Sequence, residues 1–280
     1  MAAPSRFPSR LSWWRKRRGL SQLQLAMAAT CSQRHISFLE LGRTKPSREM
    51  VLRLSAALDV PLRQSNELLL CAGYAPVWAE TDLGAEALAP IRAALDYMLA
   101  QQEPFPAVVV DRRWNLLQAN KGAVAMVEFL VGPVKPGTLI NLGDILVAPD
   151  VLRPHLTNWS EVVRYFVRSV EADAAADGTP ETADLLQRLL GYEDVRATMS
   201  QAPTYGASTP VLPMQFEKGR TKLRLFTTIA TLGTPQDITL QGLRIESFFP
   251  MDDDTRETFH KWAAPAKKSA TLRRTTQNQT

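Results

Sequence analysis

Between residues 9 and 73, apolar side chains recur three and four positions apart, and residues that start or stop helices interrupt them at short intervals. In the segment REMVLRLSAALDV, for example, Val51, Leu54 and Leu58 share one helical face. Helix starts are predicted at Ser21, Ser32, Ser47 and Pro61. Helix ends are predicted at Gly19, Gly42 and Gly73. Helices joined by connections this short leave no room for paired strands. The pattern therefore predicts an all-α bundle of five helices.

The charges of the chain are unevenly distributed. The whole sequence carries 33 Lys and Arg against 28 Asp and Glu, a formal net charge of +5. Residues 1–75 hold 12 of these bases and only 4 of the acids, which gives this segment a net charge of +8. The other 205 residues are therefore mildly acidic, at −3. A small basic module joined to an acidic one indicates a nucleic-acid binder fused to a second domain.

The pattern changes after a linker and an amphipathic helix at residues 76–104. From 105 to 264, two short strands, a helix capped by Asn120, further helices and three closing strands follow, an order typical of an α+β domain with an antiparallel sheet. The closing strands are predicted in PVLPMQF, TKLRLFTTIATLG and DITLQGLRIESFF. The polar, basic segment 265–280 is predicted to be disordered. We therefore expect domain boundaries at 1–75, 76–104, 105–264 and 265–280.

Several classes of protein are disfavoured by features that the sequence lacks. No apolar run approaches the roughly 18 to 20 residues that span a bilayer, and the basic N-terminus lacks the apolar core of a secretory signal. Cys31 and Cys71 are not spaced as metal ligands and fit a reducing cytosol. The histidines are isolated, and no HExxH, GxSxG, Walker A or GxGxxG sequence stands in a usable context. We therefore expect a cytoplasmic protein that is not an enzyme and has no metal or cofactor.

The segment SQRHISFLELGR places two kinds of side chain on different faces of one predicted helix. Ile36 and Leu39 share an apolar stripe, whereas Gln33, Arg34 and Ser37 point away from it. A merely solvated helical face is expected to carry Glu and Lys. This face instead carries an amide and a guanidinium, which can make paired hydrogen bonds with adenine and with guanine in the major groove.

The longer segment LSQLQLAMAATCSQRHISFLELGRTKPS resembles the helix-turn-helix of lambda-repressor-like regulators, the xenobiotic-response-element family. The resemblance covers residues 10 to about 73, with Ala26 at a close helix crossing. It implies that the third helix recognises DNA and that Arg15 and Glu40 form a partly buried, structural ion pair. Thr30 departs from the family, which often has glycine at that turn. Because a β-branched residue tolerates positive φ poorly, we expect this turn to use another conformation.

We expect the basic module to contact double-stranded DNA through two groups of residues. The base-contacting group is Gln33, Arg34, Ser37 and Phe38. The phosphate-contacting group is Ser21, Gln22, His35, Arg43 and Lys45, with backbone N–H groups at the start of the second helix. Phe38 has two interpretations, contact with a thymine methyl group or packing beneath the following loop. Arg17 and Arg18 are further phosphate candidates, but for them a solvated charge run is the favoured interpretation.

The segment VVVDRRWNLLQANKGA resembles the opening of a PAS domain. Together with the closing segment LRLFTTIATLGTPQDITLQGLRIESFFP, it resembles the ligand-binding domain of MmyB-like transcription regulators. This resemblance implies a PAS-like fold around an apolar cavity, with fatty acids as ligands. The candidate cavity residues are Val108, Val110, Trp114, Leu116, Leu225, Ile229, Leu243 and Ile245. Apolar residues of this kind are more often part of an ordinary core.

These interpretations combine into one hypothesis: a multi-domain, sequence-specific DNA-binding transcription regulator that acts as a homodimer and senses an apolar small molecule such as a fatty acid. One alternative is a lipid-binding or carrier protein whose basic head meets anionic membranes. Another is an enzyme built on the PAS-like domain, which a bound metal or haem would reveal. Neither alternative explains why Gln33 and Arg34 face outward on a helix that follows a capped turn.

Overall fold

A computed structural model describes residues 6–135, 137–201 and 210–264. The segment predicted to be disordered, 265–280, lies outside the described residues. The predicted fold class is confirmed: an all-α helix-turn-helix bundle precedes an α+β domain with an antiparallel sheet.

Five helices form the N-terminal bundle, which we call the head and define as residues 6–73. They are α1 (Phe7–Arg17), α2 (Gln22–Ala28), α3 (Gln33–Glu40), α4 (Arg48–Ala57) and α5 (Leu62–Cys71). Serine Oγ atoms cap α2, α3 and α4, each accepting a hydrogen bond from the backbone N–H three residues further on. The capping serines are the predicted ones, Ser21, Ser32 and Ser47.

The apolar faces of the five helices enclose one core. Fully buried side chains include Leu11, Trp14, Leu25, Ile36, Leu39, Val51 and Leu69. Full burial of one Leu or Ile side chain stabilises a fold by about 1.5–3 kcal/mol. Since Ile36 and Leu39 are both 0 % exposed, they hold α3 in the bundle by its apolar stripe.

Thr30, in the turn between α2 and α3, has a φ of 51°. The expectation that this turn avoids positive φ is therefore wrong. The left-handed conformation lets the N–H of Cys31 donate to the carbonyl of Ala26 over 2.9 Å, which closes the end of α2. The short connection thus imposes this conformation on a β-branched residue that disfavours it.

The chain after the head is fixed to α5 before it reaches the second domain. The Asn66 amide accepts hydrogen bonds from the N–H groups of Val77 and Trp78 and donates one to the carbonyl of Trp78. A 3₁₀ turn at Glu86–Leu88 then leads into α6 (Ala89–Gln102). Val77 and Trp78 are therefore held against α5.

The C-terminal domain contains a five-stranded sheet and seven further helices within the described residues. Its elements are β1 (Ala107–Val110), β2 (Leu116–Ala119), α7 (Lys121–Val131), α8 (Leu142–Val147), α9 (Trp159–Asp177), α10 (Pro180–Leu190), α11 (Glu193–Ser200), β3 (Met214–Lys218), β4 (Thr221–Ala230), α12 (Ile238–Gln241), β5 (Arg244–Pro250) and α13 (Asp253–Ala263), with a 3₁₀ turn at Arg153–His155. The strand order is β2-β1-β5-β4-β3, and every neighbouring pair is antiparallel. All four β1 residues are buried, because β1 is covered on both faces: Val108 and Val110 lie in one core, and Ala107 and Val109 pack with α6 in another.

The prediction of a strand over DITLQGLRIESFF is wrong for the first half of this segment. Ile238–Gln241 forms helix α12, because the Asp237 carboxylate accepts hydrogen bonds from the N–H groups of Thr239 and Leu240 and caps a helical turn. Only the second half pairs as β5. Helices α8 and α11, with 6 and 8 residues, were not predicted.

The two faces of the sheet belong to two separate cores. We call the face that carries Val108 and Val110 the inner face; it packs against α9 and the other helices of the domain. The outer face carries Ala107 and Val109 and packs against α6. Successive residues of a strand point to opposite faces, so a one-residue difference assigns a side chain to a different core.

Replacing Thr30 with glycine is expected to stabilise the head. Glycine adopts positive φ without the steric cost that a β-branched residue bears, and this relief exceeds the extra flexibility of glycine in the unfolded chain. We expect Thr30→Gly to raise the free energy of unfolding by about 1 kcal/mol. The measurement is urea denaturation followed by circular dichroism. Ala28→Gly, at the last residue of α2, is the matched control and should lower stability by at most about 1 kcal/mol. A loss of stability in both variants would contradict the assignment of strain to Thr30.

Candidate nucleic-acid interface

Helix α3 presents its polar side chains on the surface of the head. Gln33 and Arg34 are exposed, and Ser37 on the next turn is half-buried. On the other side, Ile36 and Leu39 are anchored in the core. The Ser32 cap fixes the first turn, since its Oγ accepts the N–H of His35 over 3.1 Å. The structure therefore brings an amide and a guanidinium together at the exposed N-terminal end of one rigid helix.

Phe38 supports two arginines at this surface. Its half-buried ring lies 5.1 Å from the Arg34 guanidinium carbon and 5.9 Å from that of Arg43. Contacts of this kind between a guanidinium and an aromatic face are attractive by about 0.5–1 kcal/mol at exposed sites. The ring thus restricts where the Arg34 side chain can lie. The thymine-methyl contact predicted for Phe38 stays a prediction.

Arg15 and Glu40 form an ion pair that joins α1 to α3. The Arg15 Nε and Nη2 donate to the two Glu40 carboxylate oxygens over 2.6 and 2.9 Å, and both side chains are largely buried. The Gln22 Nε2 donates to the same carboxylate over 2.8 Å, which adds α2 to the network. Hydrogen bonding with Glu40 raises the pKa of Arg15, against the opposing effect of burial. The network fixes the position of α3 relative to α1 and α2.

The side chains predicted to contact phosphates differ in how available they are. Arg43 and Lys45 are exposed in the loop after α3, and His35 is half-buried on α3. The Ser21 side chain is committed to a reciprocal cap with Gln24, so its hydroxyl serves α2. The Gln22 side chain is likewise tied to the ion pair, so the phosphate contact predicted for this side chain would compete with Glu40.

Arg17 and Arg18 match neither interpretation that the sequence suggested for them. The Arg18 Nε donates to the carbonyl of Leu58 over 2.7 Å, which pins α1 to the end of α4. The Arg17 Nη2 donates to the carbonyl of Ala174 over 2.6 Å, at the end of α9 in the C-terminal domain. Burial lowers the pKa of Arg17, as expected for a guanidinium packed against protein. Both arginines are structural links.

The eight candidate cavity residues do not line one cavity. Val108, Val110, Trp114, Leu116 and Leu225 belong to the inner core or pack against it. Leu243 and Ile245 lie on the outer face, in the core that α6 covers. Ile229 is 47 % exposed. The assignment of Leu243 and Ile245 to a shared cavity is wrong, because the sequence shows the alternation of β5 but not which face α6 covers. Ile229 does not fit an enclosed cavity either, since it lies near the exposed end of β4.

A polar cluster on the inner face was not predicted from the sequence. Arg244 and Glu246 pair in register with Val110 and Val108 and so share their face of the sheet. The Arg244 Nη1 lies 2.7 Å from the Asp173 Oδ2 on α9, and its guanidinium lies 5.4 Å from the Trp114 ring. The signal was the segment LRIESFF, in which charged residues alternate with apolar ones in a strand.

Neither a metal site nor a membrane-spanning helix is found among the described residues. Within 6–135, 137–201 and 210–264, no group of three His, Cys, Asp or Glu side chains is placed to hold a metal ion. Nor does that part of the chain contain a helix with the length and hydropathy that crossing a membrane requires.

Two family models match the chain. A helix-turn-helix model matches residues 11–64, and the model of the MmyB-like transcription regulator ligand binding domain matches residues 91–261, more than half of the sequence. No curated protein is significantly similar to the chain. The matched domains are those of a DNA-binding transcription regulator with a ligand-binding domain.

Glu246 is expected to make stability depend on pH. Burial raises the pKa of Glu246 to about 7 from an ordinary value of 4.5, although Thr227 and Arg244 favour the charged form. The folded protein therefore binds this proton more tightly than the unfolded chain, and stability falls as pH rises from about 4.5 through 7. Since one pKa unit corresponds to about 1.4 kcal/mol, Glu246→Gln should gain about 2–3 kcal/mol relative to wild type between pH 5 and pH 8.

Urea denaturation at pH 5 and pH 8 measures this difference. Glu128→Gln, which changes an exposed carboxylate of α7, is the matched control and should show no such gain. An equal effect of Glu246→Gln at both pH values would show that its carboxylate titrates normally.

Proposed function

This chain belongs to the family of MmyB-like transcription regulators, and we propose that it binds an operator sequence specifically, as a homodimer, and senses an apolar small molecule such as a fatty acid through its C-terminal domain. The observation that carries the proposal is the exposed pair Gln33 and Arg34 at the start of an α3 that is anchored on its opposite face. A helix of this kind fits the major groove of B-DNA.

In this proposal α3 reads bases and its surroundings bind phosphates. Arg34 donates two hydrogen bonds to guanine O6 and N7, and Gln33 pairs with adenine N6 and N7. Ser37 and Phe38 complete the base-reading surface. Arg43 and Lys45 neutralise phosphates, a role that their exposed positions in the loop after α3 support.

The size of the recognition surface supports the proposed homodimer. Helix α3 has 8 residues, and only its first turns carry exposed polar side chains. One such helix reads only a few base pairs, whereas two heads related by a two-fold axis double the site and match a palindromic operator.

The inner face of the sheet supports ligand sensing. Val110 and Leu225, which are 0 % exposed, lie in one core with α9, while the charged Arg244 and Glu246 share the same face. An apolar ligand with one polar end matches such a mixture of surfaces. The outer face offers no comparable combination, since Leu243 and Ile245 pack directly against α6.

Two substitutions separate base reading from phosphate binding. Arg34→Ala should lose about 1–3 kcal/mol of binding free energy on the selected operator and relax specificity at one position of each half-site. Lys45→Ala should weaken binding to all sequences by a similar factor and reduce the salt dependence of binding. Selection of bound sites from random DNA, followed by anisotropy titrations of both variants, measures these effects. If Arg34→Ala left the selected motif unchanged, the assignment of α3 to the major groove would fail.

Enlarging one buried side chain on each face of the sheet tests where the ligand binds. Leu225→Phe enlarges a fully buried side chain on the inner face, and we expect it to weaken palmitate binding by about tenfold or more. Leu243→Phe makes the same change on the outer face, where Leu243 is 1 % exposed, and should leave palmitate binding unchanged. Equilibrium dialysis with labelled palmitate measures both. Loss of binding in the outer-face variant alone, or no saturable binding by the wild type, would contradict the proposal.

A further inference from the structure

The last turn of α1 in the head is docked on the C-terminal end of α9 in the other domain. The Arg17 Nη2 donates to the carbonyl of Ala174 over 2.6 Å, and its Nε donates to that of Ala175. Its guanidinium also lies 4.4 Å from the Trp13 ring. The last carbonyls of a helix have no partner within the helix and carry its negative dipole end, so a guanidinium is a well-matched cap for them.

The docking surface on α9 is rigid and shaped for Trp13. Gly178, which ends α9, has a φ of 65°, and a Cβ added to it would lie 2.5 Å from the Trp13 Cη2. The Asp177 carboxylate holds the turn by accepting hydrogen bonds from the N–H of Thr179 over 2.9 Å and the hydroxyl of Thr182 over 2.7 Å. The contact therefore depends on a glycine and on a fixed turn.

The same helix forms part of the ligand domain's core. Val163, Val167 and Val170 of α9 are 0 % exposed in the inner core. Asp173, the residue directly before Ala174, pairs with Arg244 of β5. A change in the inner core that moves α9 or β5 therefore also displaces the carbonyls to which Arg17 donates.

A second contact connects the head to β5. The Gln241 Oε1 of α12 accepts the backbone N–H of Leu62 over 2.9 Å, at the first turn of α5. Helix α12 ends at Gln241, and β5 begins at Arg244. The first of these two contacts thus lies at the end of α9 and the second lies just before β5, and the Arg244–Asp173 ion pair joins α9 to β5.

Building on the proposed function, we propose that α9 transmits the state of the ligand domain to the head, with Arg17 as the positioning residue that clamps the head to the end of α9. Packed helices and interfaces move between discrete arrangements, so a small displacement of α9 re-orients the head as a unit. In a dimer, such a re-orientation changes the distance between the two recognition helices, and hence the fit to an operator of fixed spacing.

Distances between spin labels test the clamp in the full-length chain. Labels are placed at Ala28→Cys in the head and Asp184→Cys in the C-terminal domain, both exposed, in a Cys31→Ser/Cys71→Ser background. The labelled protein is diluted with unlabelled protein so that each measured pair lies in one chain. Arg17→Gln should make the distance distribution at least about twofold broader, because domains without a strong interface move relative to each other. Lys16→Gln, the same change at an exposed neighbouring position, is the matched control and should leave it unchanged.

Transmission through α9 is tested by a substitution inside the ligand domain. Asp173→Asn removes the charge that pairs with Arg244 but leaves Arg17 and its acceptors in place, and it should shift or broaden the same distribution. Asp194→Asn, which disrupts a more exposed ion pair with Arg153 in that domain, is the control and should not. Distributions identical to wild type in Arg17→Gln or in Asp173→Asn would overturn the inference. These distances are measured without DNA, so failure of operator binding by the wild type would refute the proposed function separately.

Discussion

The recognition surface depends on one ion pair, between Arg15 and Glu40. It ties α1 to α3, and through Gln22 it also holds α2, so the three helices that define the DNA-binding geometry meet at one carboxylate. Removing one partner of a buried pair typically costs about 3–5 kcal/mol, since the other charge stays desolvated. With Ile36 and Leu39 anchoring α3 from below, the pair leaves the helix little freedom to rotate. The outward direction of Gln33 and Arg34 follows from these constraints.

Much of the head could be predicted because its signals are local. A serine before an apolar period marks a helix start within one turn, and the Oγ atoms of Ser21, Ser32 and Ser47 accept the expected hydrogen bonds. The turn at Thr30 was mispredicted, because the geometry of the connection overrides the preference of the residue. In a loose connection, the preference of each residue decides its backbone conformation. In a tight connection, tertiary geometry decides it.

The C-terminal domain was harder to predict because its deciding contacts are distant in sequence. The alternation in β5 is visible, but only the packing of α6 shows that Leu243 and Ile245 face the outer core and that Arg244 and Glu246 face the inner one. The partners of Arg244 and Arg17, Asp173 and Ala174, are neighbours on α9. No spacing in the sequence indicates that these two arginines converge on one helix end, and this convergence gives the two domains a physical connection.

Methylation interference on the selected operator tests most directly whether α3 reads the major groove. Dimethyl sulfate modifies guanine N7 in the major groove and adenine N3 in the minor groove, and Arg34 is assigned to guanine N7. We expect a methyl group on one guanine N7 in each half-site to block binding by the wild type, and Arg34→Ala to become insensitive to that methyl group. Interference confined to adenine N3, or the same guanine pattern in both proteins, would contradict it.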